Sequence, residues 1–134
     1  MMGPMDVENR EAIRELLHRY CHYVDAGDAD KWAGLYVEDG SFDLGTGRGP
    51  IQGRAALREF ASAFRAGTGL HLSGNPIISV EGDEAAVSSY VVVIGGAGDP
   101  KINLAGRYED RLRQVGGEWL IWSRCLYPQM RRSG

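Results

Sequence analysis

The stretch "YCHYVDAGDADKWAGLYVEDGSFD", residues 20–43, decides the fold because it carries the end of one helix and the approach to the first strand. A single apolar stripe at helical spacing leads into it, formed by Ile13, Leu16, Leu17, Tyr20 and Val24. This periodicity predicts a first helix over residues 6–26. Gly27 is the residue type that most often ends a helix. Asp25 is therefore predicted to lie in the last turn of an apolar helix, which raises the question of what its carboxylate faces.

Two further helices and a brief strand are predicted next. Asp28 is a residue type that caps helices, and the short helix after it includes Trp32. Residues 38–40 are typical of a turn, and residues 41–44 predict a brief strand. Residues 54–66 return to helical spacing and predict the third helix.

Strands dominate the rest of the chain. From residue 69 to residue 127, apolar and polar residues alternate between short glycine-containing turns. This pattern predicts strands joined by tight turns, an antiparallel meander. Helices followed by such a meander indicate an α+β fold with the helices on one face of the sheet. At 134 residues the chain is predicted to form a single domain, residues 1–134, with its core at about 6–127.

Composition limits the partners that we expect. The chain has 15 Lys and Arg residues, scattered along it, and a net charge of −3, so nucleic acid is not an expected partner. The longest apolar run, residues 90–94, is far shorter than a bilayer-spanning helix, so no membrane partner is expected. No secretory signal is visible. The two cysteines lack CxxC spacing and are expected to be reduced, which predicts a cytoplasmic protein.

Three stretches resemble a known family. The first helix ends in Tyr20-x4-Asp25 and continues into "GDADKWAGLYVEDGSFD". "GRAALREF" at 53–60 then opens a helix, and "GRYEDRLRQVGGEWLIWSR" at 106–124 contains the last hairpin. Over nearly the whole chain these stretches resemble the SnoaL-like family of the nuclear transport factor 2-like superfamily. The resemblance implies a cone-shaped, curved antiparallel sheet closed over by three N-terminal helices.

The resemblance also implies a site. Tyr20-x4-Asp25 followed by His71 is similar to the scytalone dehydratase and bile-acid dehydratase branch of this superfamily. It implies that Asp25 orients His71, that His71 moves the proton, and that Tyr20 works with them as a third catalytic residue. Enzymes of that branch carry a second histidine or aspartate on the next long strand, where this sequence has Ser89 and Tyr90.

Elementary chemistry supports a role for Asp25 and His71 together. A carboxylate that accepts a hydrogen bond from one imidazole nitrogen fixes the tautomer of the ring. The second nitrogen can then remove a proton from carbon or deliver one to a leaving hydroxyl. The alternative is that Asp25 only caps a turn and His71 is a satisfied core histidine. A hydrogen-bond distance between the two residues would favour catalysis, and a large separation would favour a binding module.

Aromatic residues are the expected lining of the ligand site. The hydroxyls of Tyr90 and Tyr108 are predicted to bind substrate oxygen, and both residues lie on long strands. The other substrate-binding candidates are Trp32, Phe60 and Phe64. Further apolar lining is expected from Leu70, Val92 and Leu112.

Neither a metal nor a cofactor is expected at this site. His18 and His22 have the spacing of helical metal ligands, but on a helical wheel they point away from Tyr20. The glycine-rich residues 45–49 lack the Lys-Ser/Thr ending of a phosphate loop and are more typical of a lid.

The combined hypothesis is a cofactor-independent lyase of the dehydratase type. It would use His-Asp general acid–base chemistry on a hydrophobic, oxygenated small molecule that is polyketide-, steroid- or aromatic-like. An isomerase, an aldol cyclase or an epoxide hydrolase in the same pocket stays open, as does a non-catalytic binding or dimerisation module. The strand at 118–127 is largely apolar on both predicted faces, which predicts a homodimer.

Overall fold

Three helices and six strands are present in the structure, a computed structural model that describes residues 3–96 and 98–131. The helices are α1 (Pro4–Ala26), α2 (Ala29–Ala33) and α3 (Arg54–Ala61). The strands are β1 (Tyr36–Asp43), β2 (Ile51–Gln52), β3 (Gly69–Glu81), β4 (Glu84–Gly95), β5 (Lys101–Val115) and β6 (Glu118–Arg131). The predicted α+β class is confirmed.

All six strands form one curved sheet in the order β2-β1-β6-β5-β4-β3. The predicted antiparallel meander is found in β3 to β6, where each strand pairs with the next. The pairing of β1 with β6 is parallel, so the sheet is mixed. Strands β2 and β3 are the two edges, and the sheet does not close into a barrel.

Helix α1 follows the predicted apolar stripe and ends where predicted. Its buried residues are Ile13, Leu16, Leu17, Tyr20 and Cys21. Gly27 adopts a left-handed conformation with φ of 71°, and the Asp28 amide donates to the carbonyl of Tyr23 at 2.9 Å. A Cβ atom at position 27 would also lie 3.1 Å from the Ala66 nitrogen. Both the left-handed conformation and this close contact therefore favour glycine here. This termination sets the position of Asp25 in the last turn.

Residues 36–43 differ from the prediction, because the predicted turn at 38–40 lies inside the continuous strand β1. The register of β1 against β6 shifts between Tyr36 and Ser41. Tyr36 and Phe42, on either side of this irregularity, are both buried. Gly40 allows the close approach, since a Cβ atom there would lie 3.0 Å from the Ile121 carbonyl oxygen.

A bulge in β6 changes which residues face the helices. Leu112 pairs with Ile121 whereas Arg111 pairs with Ser123, so Trp122 is an extra residue on β6. As a result the buried positions of this strand are Trp119, Ile121, Arg124 and Leu126. The uniform alternation that the sequence predicts for residues 118–127 is therefore wrong beyond Ile121.

A second bulge interrupts the edge strand β3. Its register against β4 shifts between Gly74 and Ile77. Asn75 in this bulge has a positive φ of 54°, and Pro76 follows it. Asparagine is one of the few residues that tolerates the left-handed region.

The core fills the space between the helices and the inner face of the sheet, the face that the helices cover. Aromatic rings are concentrated at its centre: Tyr20, Trp32, Tyr36, Phe42 and Tyr108. Cys21 and Cys125 are both free thiols, and the cytoplasmic location that they suggest stays a prediction. No helix in the described part of the chain is long and apolar enough to cross a membrane.

Candidate active site

A cavity of about 580 Å³ lies between the end of α1, the α3 region and the inner face of the sheet. Its apolar lining includes Val24, Phe42, Leu44, Phe60, Phe64, Val93, Leu104 and Leu126. The residues with polar side chains among its lining are Tyr20, Asp25, Arg65, Thr68, His71, Asn103 and Tyr108. A largely apolar cavity with a few polar groups, in the range of ~300–1,000 Å³, is typical of small-molecule sites.

Asp25 and His71 are brought together at the wall of this cavity. The Nδ1 atom of His71 lies 2.8 Å from Oδ1 of Asp25, and the two side chains are about one-fifth exposed (24% and 18%). The backbone N–H of His71 also donates to both carboxylate oxygens, at 3.1 Å each. Leu70 and Leu72 on either side of His71 are exposed, because alternate residues of β3 face opposite ways.

This geometry determines the role of each imidazole nitrogen. The carboxylate is an acceptor, so it favours the tautomer in which Nδ1 carries the proton. The Nε2 atom of His71 is then the nitrogen left for a ligand. A neutral ring in this orientation can take a proton at Nε2 and return it later.

The floor of the cavity is formed by tyrosines. Tyr20 and Tyr108 both line it and are only 2% and 3% exposed, and the hydroxyl of Tyr36 donates to that of Tyr20 at 3.4 Å. Burial raises the pKa of Tyr20, and burial raises the pKa of Tyr108 well above its ordinary value. Both phenols are therefore protonated at neutral pH and can donate hydrogen bonds to a ligand oxygen.

Beneath the floor is a charged pair that the sequence analysis missed. Nε and Nη2 of Arg124 donate to the two carboxylate oxygens of Asp110 at 2.7 and 2.8 Å, and both side chains are fully buried. Burial lowers the pKa of Arg124, but the Asp110 carboxylate outweighs that effect and holds the pKa well above its ordinary value. The guanidinium is therefore a permanent positive charge in the core.

The guanidinium lies against two tyrosine rings. Its Cζ atom is 3.7 Å from the ring centroid of Tyr108 and 4.2 Å from that of Tyr20. The sequence carries only a partial signal for this pair. Period-two spacing puts Arg124 on the same strand face as Leu126, and Asp110 on the same face as Leu112, but it does not show that these faces are buried.

Tyr90 does not lie in the cavity. Ser89, its neighbour, pairs with Tyr108 across β4 and β5 and is 1% exposed. Tyr90 therefore points to the opposite face, where it is 58% exposed. The expectation that Tyr90 contacts substrate is wrong for this reason.

Trp32 and three expected apolar contacts also lie elsewhere. Trp32 is fully buried below the cavity, with its ring 5.5 Å from Tyr20 and 5.3 Å from Phe64, so it supports the lining instead of forming it. Val92, Leu70 and Leu112 do not line the cavity either. Val93 lines it in place of Val92, Leu70 is exposed, and Leu112 belongs to the core. Phe60 and Phe64 do line the cavity.

Within residues 3–96 and 98–131, no group of three His, Cys, Asp or Glu side chains is arranged to hold a metal ion. His18 and His22 are exposed on α1 and do not line the cavity. Asn103 and Arg65, which the sequence analysis did not single out, both line it.

Comparison with protein families gives one clear match. A family model described as a SnoaL-like domain matches residues 5–125. No curated protein matches this chain.

Solved structures resemble the whole chain. A protein of unknown function from Mycobacterium tuberculosis, solved as a variant with one aspartate changed to asparagine, is 38% identical with a TM-score of 0.86, and the match covers 96% of this chain and 77% of that chain. A protein from Novosphingobium aromaticivorans, provisionally described as an aromatic ring hydroxylase, is 31% identical with a TM-score of 0.83 and coverage of 99% and 96%. Another from that bacterium, provisionally described as a scytalone dehydratase, is 25% identical with a TM-score of 0.86 and coverage of 98% and 91%.

Proposed function

The chain belongs to the SnoaL-like domain family, and we propose that it is a cofactor-independent lyase that removes water from a hydrophobic β-hydroxy carbonyl compound. The observation that carries this proposal is the 2.8 Å contact between Asp25 and His71 at the wall of an apolar cavity. The similarity to a protein provisionally described as a scytalone dehydratase supports dehydration. The apolar lining supports a polyketide-, steroid- or aromatic-like substrate.

The first step is removal of a proton from carbon. Nε2 of His71 takes the proton from the carbon next to the carbonyl, and the electron pair of that C–H bond moves to form an enolate. Asp25 stabilises the imidazolium that results. The hydroxyls of Tyr20 and Tyr108 donate to the enolate oxygen, where negative charge develops.

The second step expels water. The enolate electrons form the new C=C bond as the bond from the β-carbon to its hydroxyl oxygen breaks. The hydroxyl takes the proton back from Nε2 of His71 and leaves as water. The ring returns to its neutral form, and no electrons are gained or lost overall, so the cycle needs no redox partner.

The same residues would also support an isomerase, if His71 returned the proton to a different carbon. Epoxide opening would call for an Asp-Arg-Asp relay that holds a water, for which Arg107 and Asp110 are the candidates. It has less support, because Arg107 pairs with Glu109 while Asp110 pairs with Arg124 beneath the floor. A non-catalytic module would not need the Asp25–His71 contact.

Mass spectrometry tests the proposed reaction. Any ligand that is purified with the protein should be identified, and hydrophobic β-hydroxy ketones related to it should be incubated with the protein. We expect products that are lighter by one water. Products of unchanged mass but altered double-bond position would establish the isomerase instead, and unaltered compounds throughout would contradict catalysis.

Ligand class can be tested by thermal shift. We expect aromatic polyketides or steroids with one or two oxygens to raise the melting temperature, because they bury apolar surface in the cavity. A ligand at 100 times its Kd stabilises the folded state by about 2.7 kcal/mol. Nucleotides and sugar phosphates should give no shift, since Arg65 is the sole Lys or Arg among the described residues that line the cavity. Stabilisation by phosphorylated compounds alone would contradict the proposal.

We further propose that the protein is a homodimer. Large apolar side chains are exposed on neighbouring strands β3, β4 and β5, and we call this set the outer patch: Leu70, Leu72, Tyr90 and Ile102. Contiguous exposed apolar surface of this kind marks interaction sites, and a second copy of the chain would cover it.

Light scattering at micromolar concentration is expected to give twice the 14.7 kDa chain mass. Tyr90→Glu should shift the protein towards the monomer, because it places a charge in the outer patch. Val7→Glu is the matched control, since Val7 is comparably exposed but lies on α1. A monomeric wild type, or equal effects of the two substitutions, would contradict a dimer through this patch.

A further inference from the structure

We propose that Arg124 is a positioning residue that gives the cavity floor a positive potential, so that the site prefers a ligand oxygen bearing negative charge, such as a phenolate or an enolate. This inference rests on the proposed function and deepens it, because it names the kind of oxygen that the floor holds. Arg124 itself does not line the cavity, so it acts through Tyr20 and Tyr108.

The first argument is distance. The guanidinium carbon lies 3.7 Å and 4.2 Å from the ring centroids of Tyr108 and Tyr20, and both of these tyrosines line the cavity. A ligand oxygen that accepts from a floor tyrosine is thus bonded to a phenol whose ring is in direct contact with the charge. Because the region is buried, water screens this charge very little.

The second argument is the orientation of the ion pair. Asp110 accepts from Nε and Nη2, which form one edge of the planar guanidinium. Nη1 lies on the opposite side, is buried, and has no hydrogen-bond partner among the residues that the structure describes. Burial raises the pKa of Tyr20, and the nearby charge of Arg124 opposes that rise. The edge of the guanidinium that Asp110 does not use is therefore turned away from the carboxylate. The charge of Arg124 also lowers the pKa of Tyr108, although Asp110 partly opposes this.

The third argument is that stability alone does not require this pair. Taking two charges out of water is costly, and well-packed apolar residues of similar volume often stabilise a protein equally well. Nη1 of Arg124 has no hydrogen-bond partner within the described chain. A charge that is costly to bury and placed directly under a ligand-binding floor is better explained by its effect on the ligand.

The probe is 4-nitrophenol, which is yellow only when it is ionised. An apolar cavity by itself disfavours the ionised form, so burial alone should keep the bound probe protonated and colourless, which is called bleaching below. We expect the wild type to do the opposite and to make the bound probe more yellow than the free probe at the same pH. In the paired variant Asp110→Leu/Arg124→Met, the bound probe should be colourless. Binding of the ionised form should weaken about tenfold or more.

Controls are needed for the other charged groups in the cavity. Besides the tyrosines, Asp25, Arg65 and His71 line it and could influence the probe. The colour measurement is therefore repeated in Arg65→Met and in His71→Ala, each with and without the paired change. The paired change should bleach the probe in both backgrounds, whereas Arg65→Met alone should leave the yellow form in place.

The result can go against the proposal in three ways. A wild type that binds no nitrophenol, a wild type that bleaches it, or a folded paired variant that stays yellow would each overturn it. If Asp110→Leu/Arg124→Met does not fold, the neutral pair Asp110→Asn/Arg124→Gln takes its place under the same criteria. The readout requires no turnover, so the proposed lyase activity can fail while this inference stands, and the reverse also holds.

Discussion

Replacing His71 with alanine is expected to lower turnover of the identified substrate by about 10²–10⁴-fold, the usual contribution of a positioned general acid–base group. The loss follows from geometry, because the ring is held by Asp25 at 2.8 Å and faces the cavity. The protein should stay folded, since the His71 side chain is partly exposed and lies outside the buried core. Steady-state kinetics and circular dichroism measure the two effects separately.

Asp25→Asn should cause a loss of similar size, because the amide cannot stabilise the imidazolium. The double variant Asp25→Asn/His71→Ala should be little worse than either single change, since the two residues act as one unit. The other two histidines, exposed on α1, supply matched controls: His18→Ala and His22→Ala should keep full activity. Full turnover by both single variants would show that the pair is not catalytic and that Asp25 is only a helix-end residue.

Replacing Arg124 with methionine is expected to destabilise the fold by about 3–5 kcal/mol, because it leaves the Asp110 carboxylate buried without a partner. The pair is fully buried and its two hydrogen bonds are 2.7 and 2.8 Å long. Chemical denaturation measures the change as a fall in the free energy of unfolding. A loss of this size is a large fraction of the total stability of a small domain.

Two further variants test whether the loss of stability comes from the unpaired buried charge. The paired change Asp110→Leu/Arg124→Met should recover most of the lost stability, because no charge is then left unpaired. Arg19→Met is the surface control, since its partner Glu15 and Arg19 itself are more than half exposed (56% and 57%), and exposed pairs contribute about 0–1 kcal/mol. Equal losses from Arg19→Met and Arg124→Met would contradict the burial argument.

The position of Asp25 could be anticipated from local sequence, whereas its contact with His71 was implied by the resemblance to the SnoaL-like family. The apolar stripe of α1 and the glycine that ends it place Asp25 in the final turn. Tyr108 was likewise expected on an inward-facing strand position, and it lines the cavity. A short stretch of sequence thus indicates where Asp25 and Tyr108 lie on their own elements, but not which residue 46 positions away contacts Asp25.

The faces on which Tyr90 and Arg124 lie could not be predicted from local sequence, because they depend on strand pairing between distant residues. Ser89 faces inward because it pairs with Tyr108, and a shift of one residue would have turned Tyr90 inward instead. Arg124 faces inward because of the bulge at Trp122, which no periodicity reveals. Its partner Asp110 is on another strand, and a charged residue alone is usually taken as exposed.

The bulge in β3 has a consequence for aggregation of the protein. At 13 residues β3 is a long edge strand, and an unbroken edge with exposed apolar residues is a template for pairing with other chains. The left-handed Asn75 interrupts the ladder, and Pro76 has no amide hydrogen to offer to an incoming strand. Both residues thus interrupt the exposed edge midway and divide it into residues 69–74 and 77–81. An incoming strand cannot pair continuously along the whole of β3, which makes aggregation through this edge less favourable.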